Sequence, residues 1–473
     1  MSLTHSLANA ISGMTAASRR AEVVSSNVAN ALTEGYARRE LEVTASNVGG
    51  RGAGVQIVGI NRYVDRAVLS DRRLADAHLE GSTSRAQTLT RLETIIGTAD
   101  QDGSLSARIA EFEAALIEAG SDPSSEVRLT NVVNKLTSVA DVLNLQSDSI
   151  QSLRQDADAS IAEQIETLNV SLKQIEKLNS DIVRTGSGDA SSLMDQRQVI
   201  IDRVAGIVPL RELDRGNGRI ALTTTSGLTL IDGAATEFTF DPSPIITADM
   251  TQAAGGLSGL SQNGVPLSDA AMSRLSGGTL SAAFTLRDDT LVEAQSDLDA
   301  IAGDLMTRLQ GDSDPTLAVG AAGLMTDAGS YSDGAEIVGL SGRIAVNATV
   351  AQDTWRIRDG VGAATQGAVG STTQINRWID AMSENRSING GAARSVAGHA
   401  AALISKVGSA RLAAEDSVSF ATARWDTLRS AELANGVDTD HELQSLMVIE
   451  QAYAANARLI QTIDSMVQTL MEL

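Results

Sequence analysis

The chain has 473 residues, enough for about two to four domains, and its 42% apolar content is that of a folded protein. A formal net charge of −22 argues against nucleic acid and anionic membrane surfaces as partners, and the absence of cysteine excludes disulfides and thiolate metal sites. Aromatic residues make up only 3%, so the cores are expected to be aliphatic and largely helical.

At the start of the chain Leu3, Leu7, Ala10, Met14, Ala17, Ala21, Val24, Val28 and Ala31 recur at alternating spacings of 4 and 3, a single coiled-coil seam. The pattern predicts a helix to near Leu32. Its charges are few: Arg19, Arg20 and Glu22. In the segment Ser25 to Tyr36, Asn27 and Asn30 lie three apart beside the seam, and Gly35 gives the backbone freedom to stop the helix ahead of Tyr36. Arg38–Val43 and Gly54–Ile60 read as extended pieces around a Gly-rich turn at Gly49–Gly54. Gly50, Gly52 and Gly54 lack the following helix and the Lys-Ser/Thr of a phosphate loop.

Helix resumes at Val64, and Asp122-Pro123 reads as an N-cap and first turn. Leu129, Val132, Leu136, Val139, Leu143, Gln146, Ile150, Leu153 and Ala157 then keep the 3/4 alternation. Consecutive fours at Ala157, Ile161 and Ile165 form a stutter. The alternation returns through Leu168, Leu172, Ile175, Asn179 and Ile182 to Gly186-Ser187-Gly188. This predicts one helix of about 60 residues, roughly 90 Å long. A shorter helix is expected from Asp189 to Ala205. The period then changes to that of strands at Ile207–Leu213, Arg219–Thr225, Leu228–Asp232 and Glu237–Phe240, with Gly216-Asn217-Gly218 as a hairpin turn. Helix is expected again from Thr279 to Leu309, with Leu291, Ala294, Leu298, Ile301, Leu305 and Leu309 on one side. After a mixed, Gly-rich stretch over 310–370, with an extended piece at Arg343–Val346, a long helix runs from Ser395 to Ala434 and breaks at Asn435-Gly436.

The tail from Leu446 to Leu473 mirrors the start. Leu446, Ile449, Tyr453, Asn456, Ile460, Ile463, Val467 and Leu470 alternate at 3 and 4, with Asn456 the one polar member. The expected fold is therefore mainly α, a long-helix rod with its N- and C-terminal coiled-coil helices paired and a small β domain inserted. Residues 1–36 and 437–473 would form a terminal coiled-coil core domain. Residues 37–207 and 277–436 would form a helical rod, with a mixed region at 310–370, and 208–276 a small inserted β domain that looks like a module added to the rod. Several seam residues are Ala and return little on burial, so the terminal pair is expected to depend on neighbouring molecules for stability. The candidate assembly residues are Leu3, Leu7, Met14, Val24, Asn27, Val28, Asn30, Gly35 and Tyr36 at one end. At the other they are Leu446, Ile449, Tyr453, Asn456, Ile460, Ile463, Val467 and Leu470.

Catalysis is not expected. His5, His78, His399 and His441 are scattered without metal-ligand spacing, and no Gly-x-Ser-x-Gly elbow occurs. Asp312-Ser-Asp314 and Asp438-Thr-Asp440 lack the glycine and final glutamate of a calcium loop. No cofactor is implied. The N-terminus lacks the basic start and apolar run of a secretory signal, and no 18-residue apolar run exists, which by itself predicts a cytoplasmic protein without membrane insertion.

The Asn27–Tyr36 segment resembles the Asn-rich helix and Thr-Pro-Gly-Tyr signature of the bacterial flagellar axial proteins of the rod, hook and hook-associated group, with Glu34 where that family usually carries Pro. Gln451-Ala452-Tyr453-Ala454-Ala455-Asn456-Ala457-Arg458 resembles the second signature of the same group. Met194-Asp195-Gln196-Arg197 and Leu286-Arg287-Asp288 are similar to helix segments of its hook–filament junction members. The resemblance implies a structural subunit that joins hook to filament as a mechanical adaptor, or else a hook or rod subunit. From another class, a secreted soluble coiled-coil scaffold or effector stays open. It also implies partners: further copies in a ring or helical oligomer, hook protein, the next hook–filament junction protein, and a cytoplasmic export chaperone at the C-terminal helix. The implied location is extracellular, in the flagellum, reached by flagellar type III export without a cleaved signal, which reverses the cytoplasmic expectation.

Overall fold

The computed structural model describes residues 3–48, 51–98, 100–186, 189–334 and 337–472. Met1, Ser2, Gly49, Gly50, Ser187, Gly188 and Leu473, which entered the readings of the ends, the first turn and the long helix's stop, lie outside the described residues. Helix α1 (Leu3–Ala29) is followed by a hairpin of β1 (Arg39–Val48) and β2 (Arg51–Arg62), then by α2 (Arg66–Ile96) and α3 (Leu105–Ser121). The first helix thus stops three residues short of Leu32. The hairpin is longer than the two extended pieces read from the sequence, with register shifts at Glu42/Val43 and Ala45/Asn47 that bend it.

The long helix α4 spans Glu126–Thr185, 60 residues, and all sixteen positions of its predicted seam from Leu129 to Ile182 are buried. One local expectation is corrected: Asp122 closes α3 rather than opening α4, whose N-cap is Ser125. The Asp122 carboxylate accepts from Ser124 Oγ at 2.7 Å instead. Helix α5 (Ser191–Ile207) leads into β3 (Leu210–Asp214), β4 (Ile220–Thr224), β5 (Thr229–Asp232) and β6 (Ala234–Ala235), an antiparallel sheet in sequence order. Ile207 ends the helix and does not begin the strand. The turn at Gly216-Asn217-Gly218 is present, with all three residues at positive φ. Short strands β7 (Phe238–Thr239), β8 (Ser261–Gln262) and β9 (Val265–Pro266) form a second small sheet ahead of α6 (Asp269–Met272).

Helices α7 (Gly278–Thr285) and α8 (Leu291–Arg308) are one continuous run joined by a π turn at Leu286–Thr290. The mixed stretch that follows holds a two-stranded pair, β10 (Met325–Asp327) with β11 (Ile344–Val346), and two short helices, α9 (Ala348–Gln352) and α10 (Arg356–Asp359). Helix α11 (Thr373–Ser383) escaped the sequence reading. It carries the fully buried Trp378, whose Nε1 donates to Ile357 O at 3.1 Å. Helix α12 (Val396–Ala434), capped by Ser395, lies along α2, and α13 (Thr439–Met471) lies along α1.

Two cores divide α4 between them. Its first half, to Leu153, packs with α2, α3, α8, α11 and α12. Its second half, from Ile161 to Ile175, packs with α5, α7 and the sheet residues Leu222, Leu230, Ile231 and Phe238. The β segment therefore has no core of its own. It shares one with the rod, so the sheet residues cover part of the second half of α4.

Candidate assembly interface

The two seams meet each other. Asn27 Nδ2 donates to Glu442 Oε2 at 3.1 Å, and a Cβ placed on Gly13 would come within 3.0 Å of the Asn456 amide. These two contacts define one antiparallel register, in which Leu3 lies level with Met466. Val24, Asn27 and Ile463 are buried, and Leu3, Leu7, Met14, Val28, Leu446, Ile449, Asn456 and Ile460 are partly covered. Tyr453, Val467 and Leu470 are exposed; Val467 and Leu470 lie past the point where α1 runs out. The chain itself thus occupies most of the seam, and Val24, Asn27 and Ile463 offer no surface to a neighbour while the pair holds.

Gly13 explains how the polar member of the tail seam is tolerated. A glycine inside a helix costs roughly 1 kcal/mol relative to Ala, and here the missing Cβ makes the space into which Asn456 packs. The Asn456 amide donates back to Ala452 O at 3.0 Å. The sequence around that glycine carries no pointer to its partner.

At the inner end of the pair the Asn/Gly-Tyr segment builds a polar joint. Asn27 is fully buried and makes four hydrogen bonds. Its Nδ2 also donates to Arg39 O at 2.9 Å, and its Oδ1 accepts from Tyr36 Oη at 2.9 Å and Arg39 N at 3.0 Å. Glu442, 1% exposed, is held on its other oxygen by Arg38 Nε at 2.7 Å. The Arg39 guanidinium lies 4.8 Å from the Tyr36 ring centre and pairs with Asp195 at 2.7 Å. Asp195 also accepts from Arg62 Nε at 2.6 Å and from Ala37 N at 3.3 Å. Gly35, at φ 74°, packs so closely on Val199 that a side chain there would clash. The joint therefore ties α1, α13 and the β1–β2 hairpin to α5. Asn30 plays a lesser part: its Nδ2 bonds only Ser26 O of its own helix, at 2.9 Å. Neither Glu442 nor Asp195 was recognised from the sequence as part of this joint, because an acid 404 or 156 residues from its arginine carries no local pattern.

What remains open is another face of α13. Val448, Ala452, Ala455, Leu459, Thr462 and Met466 recur at alternating 4 and 3, and all are exposed, Val448 by 65%, Leu459 by 54% and Met466 by 52%. This is a second seam, about a quarter turn from the first, that none of the described residues covers. The first seam's longer aliphatic side chains masked it in the sequence.

Residues 89–310 match the flagellar hook-associated protein FlgK helical domain. Residues 433–473 match the C-terminal region of the flagellar basal body rod FlgEFG proteins, and residues 7–36 match the flagella basal body rod protein family. Flagellar hook-associated protein 1 of Salmonella typhimurium is 26% identical over 264 residues, 53% of this chain and 47% of that protein. Its counterpart in Bacillus subtilis is 25% identical over 220 residues, 44% of this chain and 43% of that protein. The chain spans about half the length of the curated relatives it matches. A solved structure, the flagellar hook junction protein FlgK from Burkholderia pseudomallei, aligns at 16% identity with a TM-score of 0.46, covering 54% of this chain and 46% of that one.

Proposed function

We propose that this chain, which belongs with the bacterial flagellar axial proteins of the rod, hook and hook-associated group, is the structural subunit that joins hook to filament. It would act as a mechanical adaptor, with no catalytic step. The observation that carries this reading is the uncovered seam of α13: an intramolecular helix pair that satisfies itself on one side and leaves a second coiled-coil stripe open on the other. A subunit with one paired and one free stripe can repeat the same contact from copy to copy. Residues 1–36 and 437–473 would then form the terminal domain that assembles. The remaining helices form the rod, and the β segment over 208–276 lies along it.

In this reading the outer stripe of α13, together with Tyr453, Val467 and Leu470, meets other copies, hook protein and the next junction protein. The paired seam, from Leu3 to Val28 and Leu446 to Ile463, fixes the shape presented to them. The same exposed stripe is the surface that an export chaperone would cover before assembly, and export by the flagellar type III route without a cleaved signal would place the subunit in the flagellum. The helical-domain match over 89–310 and the unbroken α4 favour a junction subunit over a hook or rod subunit.

The test is complementation of a deletion strain. Leu459→Asp and Met466→Asp are expected to leave a folded, exported subunit and yield hooks without filaments, whereas Gln461→Asp, off both stripes, should restore motility. Normal filaments from Leu459→Asp/Met466→Asp would refute the outer stripe as the assembly face.

A further inference from the structure

Beside the polar joint, β2, α2, α5 and the β3–β4 turn enclose a cavity of about 190 Å³. Five arginines line it: Arg62, Arg66, Arg73, Arg197 and Arg219. In a chain with a net charge of −22 this is an unusual concentration of cations.

The local acids do not use up the donors. Arg197 is 7% exposed, and its Nη1 donates to Asn179 Oδ1 and Gly218 O, both at 2.7 Å; among the described residues its Nε and Nη2 have no partner. Arg73 gives Nε to Asp202 and Nη1 to Glu212, leaving Nη2. Arg62 gives Nε to Asp195 and Nη2 to Gly35 O and Gln198, leaving Nη1. Arg66 reaches Asp214 through Nη1 alone, and the Arg219 side chain makes no ion pair among the described residues. On the acceptor side, Asp214 is already engaged by Arg66 and by Gly216 N, and Glu212 by Arg73.

We propose that this cavity is an oxyanion-binding site that takes a phosphate or carboxylate group on Arg197, with Arg66 and Arg219 at its mouth. A guanidinium presents N–H groups only, so a wall of spare guanidinium donors favours a ligand that only accepts. Water fills such a wall less well, because it brings two donors of its own. At about 30 Å³ per water, the volume holds roughly six, room enough for one tetrahedral or planar oxyanion. Burial, reinforced by the like charges of Arg62 and Arg73 and opposed by Glu212 and Asp214, pulls the Arg197 pKa down to about 10. Arg197 is still cationic at neutral pH, and a bound anion would relieve that cost.

The probe is inorganic phosphate, titrated into the full chain against sodium chloride at matched ionic strength, with heat of binding and thermal midpoint as readouts. Arg197→Met also loses the bonds to Asn179 and Gly218, so the informative variant is Arg66→Gln/Arg219→Gln, whose side chains are exposed. Saturable binding by the wild type, at least fivefold weaker in the double variant, is the expected result. A phosphate response equal to that of chloride, or equal in wild type and variant, would overturn the proposal. A second arm separates the sources of the anion. If a carboxylate of a second copy occupies the site, phosphate lowers subunit association in the wild type and not in the variant. If the ligand is a free ion, association is unchanged while binding persists.

Discussion

The most direct test of the joint is Asn27→Ala. Asn27 is fully buried, and its carboxamide serves four partners: Arg39 N, Arg39 O, Tyr36 Oη and the Glu442 carboxylate. A neutral hydrogen bond contributes about 1 kcal/mol net and one to a charged group about 1.5–3. Some of the loss is recovered, since Tyr36 Oη keeps Ser26 Oγ at 3.3 Å and Glu442 keeps Arg38. The remaining cost is about 3 kcal/mol, which corresponds to roughly a hundredfold increase in local opening. Hydrogen exchange resolved by mass spectrometry is the appropriate assay, because a protein with two cores need not unfold in one step. Peptides covering 27–39 and 438–446 should exchange about a hundredfold faster in the variant, while those covering 129–153 stay unchanged. Asn30→Ala, which removes only the local bonds to Ser26 O and from Thr33 Oγ1 at the end of α1, should change exchange by less than about fivefold. Equal, small effects from the two variants would mean that α1 and α13 are not paired in the isolated subunit, and the joint as described would be wrong. In the wild type, protection should fall from the joint outward, so that Leu3 and Met471 exchange first.

Further expectations follow from other contacts. Gly13→Ala gains about 1 kcal/mol of helix propensity but crowds the Asn456 amide, so the gain should emerge only in Gly13→Ala/Asn456→Ala, as slower exchange across α1; a single variant as protected as the double would remove the crowding argument. Burial alone raises the pKa of Glu113, so the folded state loses stability as pH rises through that raised value. Glu113→Gln should therefore melt higher than wild type at pH 7, the difference shrinking as pH falls toward the ordinary carboxylate range; a constant difference would contradict it. Asp158→Ala removes one of the two carboxylates that pair with the buried Arg287, which keeps Asp288 at 2.7 Å, and should destabilise the chain by about 1.5–3 kcal/mol in denaturant, with Asp158→Asn milder. Replacing 212–274 with a Gly/Ser linker should expose Ile161, Leu168 and Leu172 and produce dye binding and proteolysis in the second half of α4; an unchanged melting profile would restore the view of the β segment as separable.

Legibility in the sequence followed the range of the interaction. The seam of α4 was fully readable because its signal, one apolar residue every three or four, is local and repeats over 60 residues. The terminal seams were readable for the same reason, but the antiparallel register of their pairing rests on the contacts of Asn27 with Glu442 and of Gly13 with Asn456. Asn27 stood out as an anomaly, but its partner Glu442, and Asp195 that holds the neighbouring Arg39, did not, since no periodicity connects positions so distant. The outer stripe of α13 was missed because Ala452, Ala455 and Thr462 look like ordinary helix formers until the first seam is seen to be occupied. The Arg-lined cavity is a tertiary coincidence of four elements and has no sequence signature at all.

The stutter in α4 has a counterpart that joins these scales. The first core ends on α4 at Leu153 and the second begins at Ile161. Between them the helix turns Arg154 and Asp158 inward, and both are at most 1% exposed. Facing them, the π turn at Leu286–Thr290 inserts its extra residue in the other long helical run. It presents Arg287, fully buried, to Asp158 at 2.5 Å, with the ring centres of Phe240 and Phe284 at 5.5 and 5.1 Å from its guanidinium. Arg154 then donates to Arg287 O, the acceptor side of the same turn, and to Thr247 O and Met250 O of the loop that crosses here. A run of consecutive fours shifts the buried stripe of one helix, and a π turn shifts that of its neighbour, so the two irregularities let the pair stay in contact while each changes partners. A strict 3/4 repeat through residues 157–165 would keep the stripe of α4 in its first orientation and turn it away from α5, α7 and the sheet. The break in the pattern is therefore the means by which one 60-residue helix serves two cores, and the buried charges at that level fix the register at which the exchange takes place.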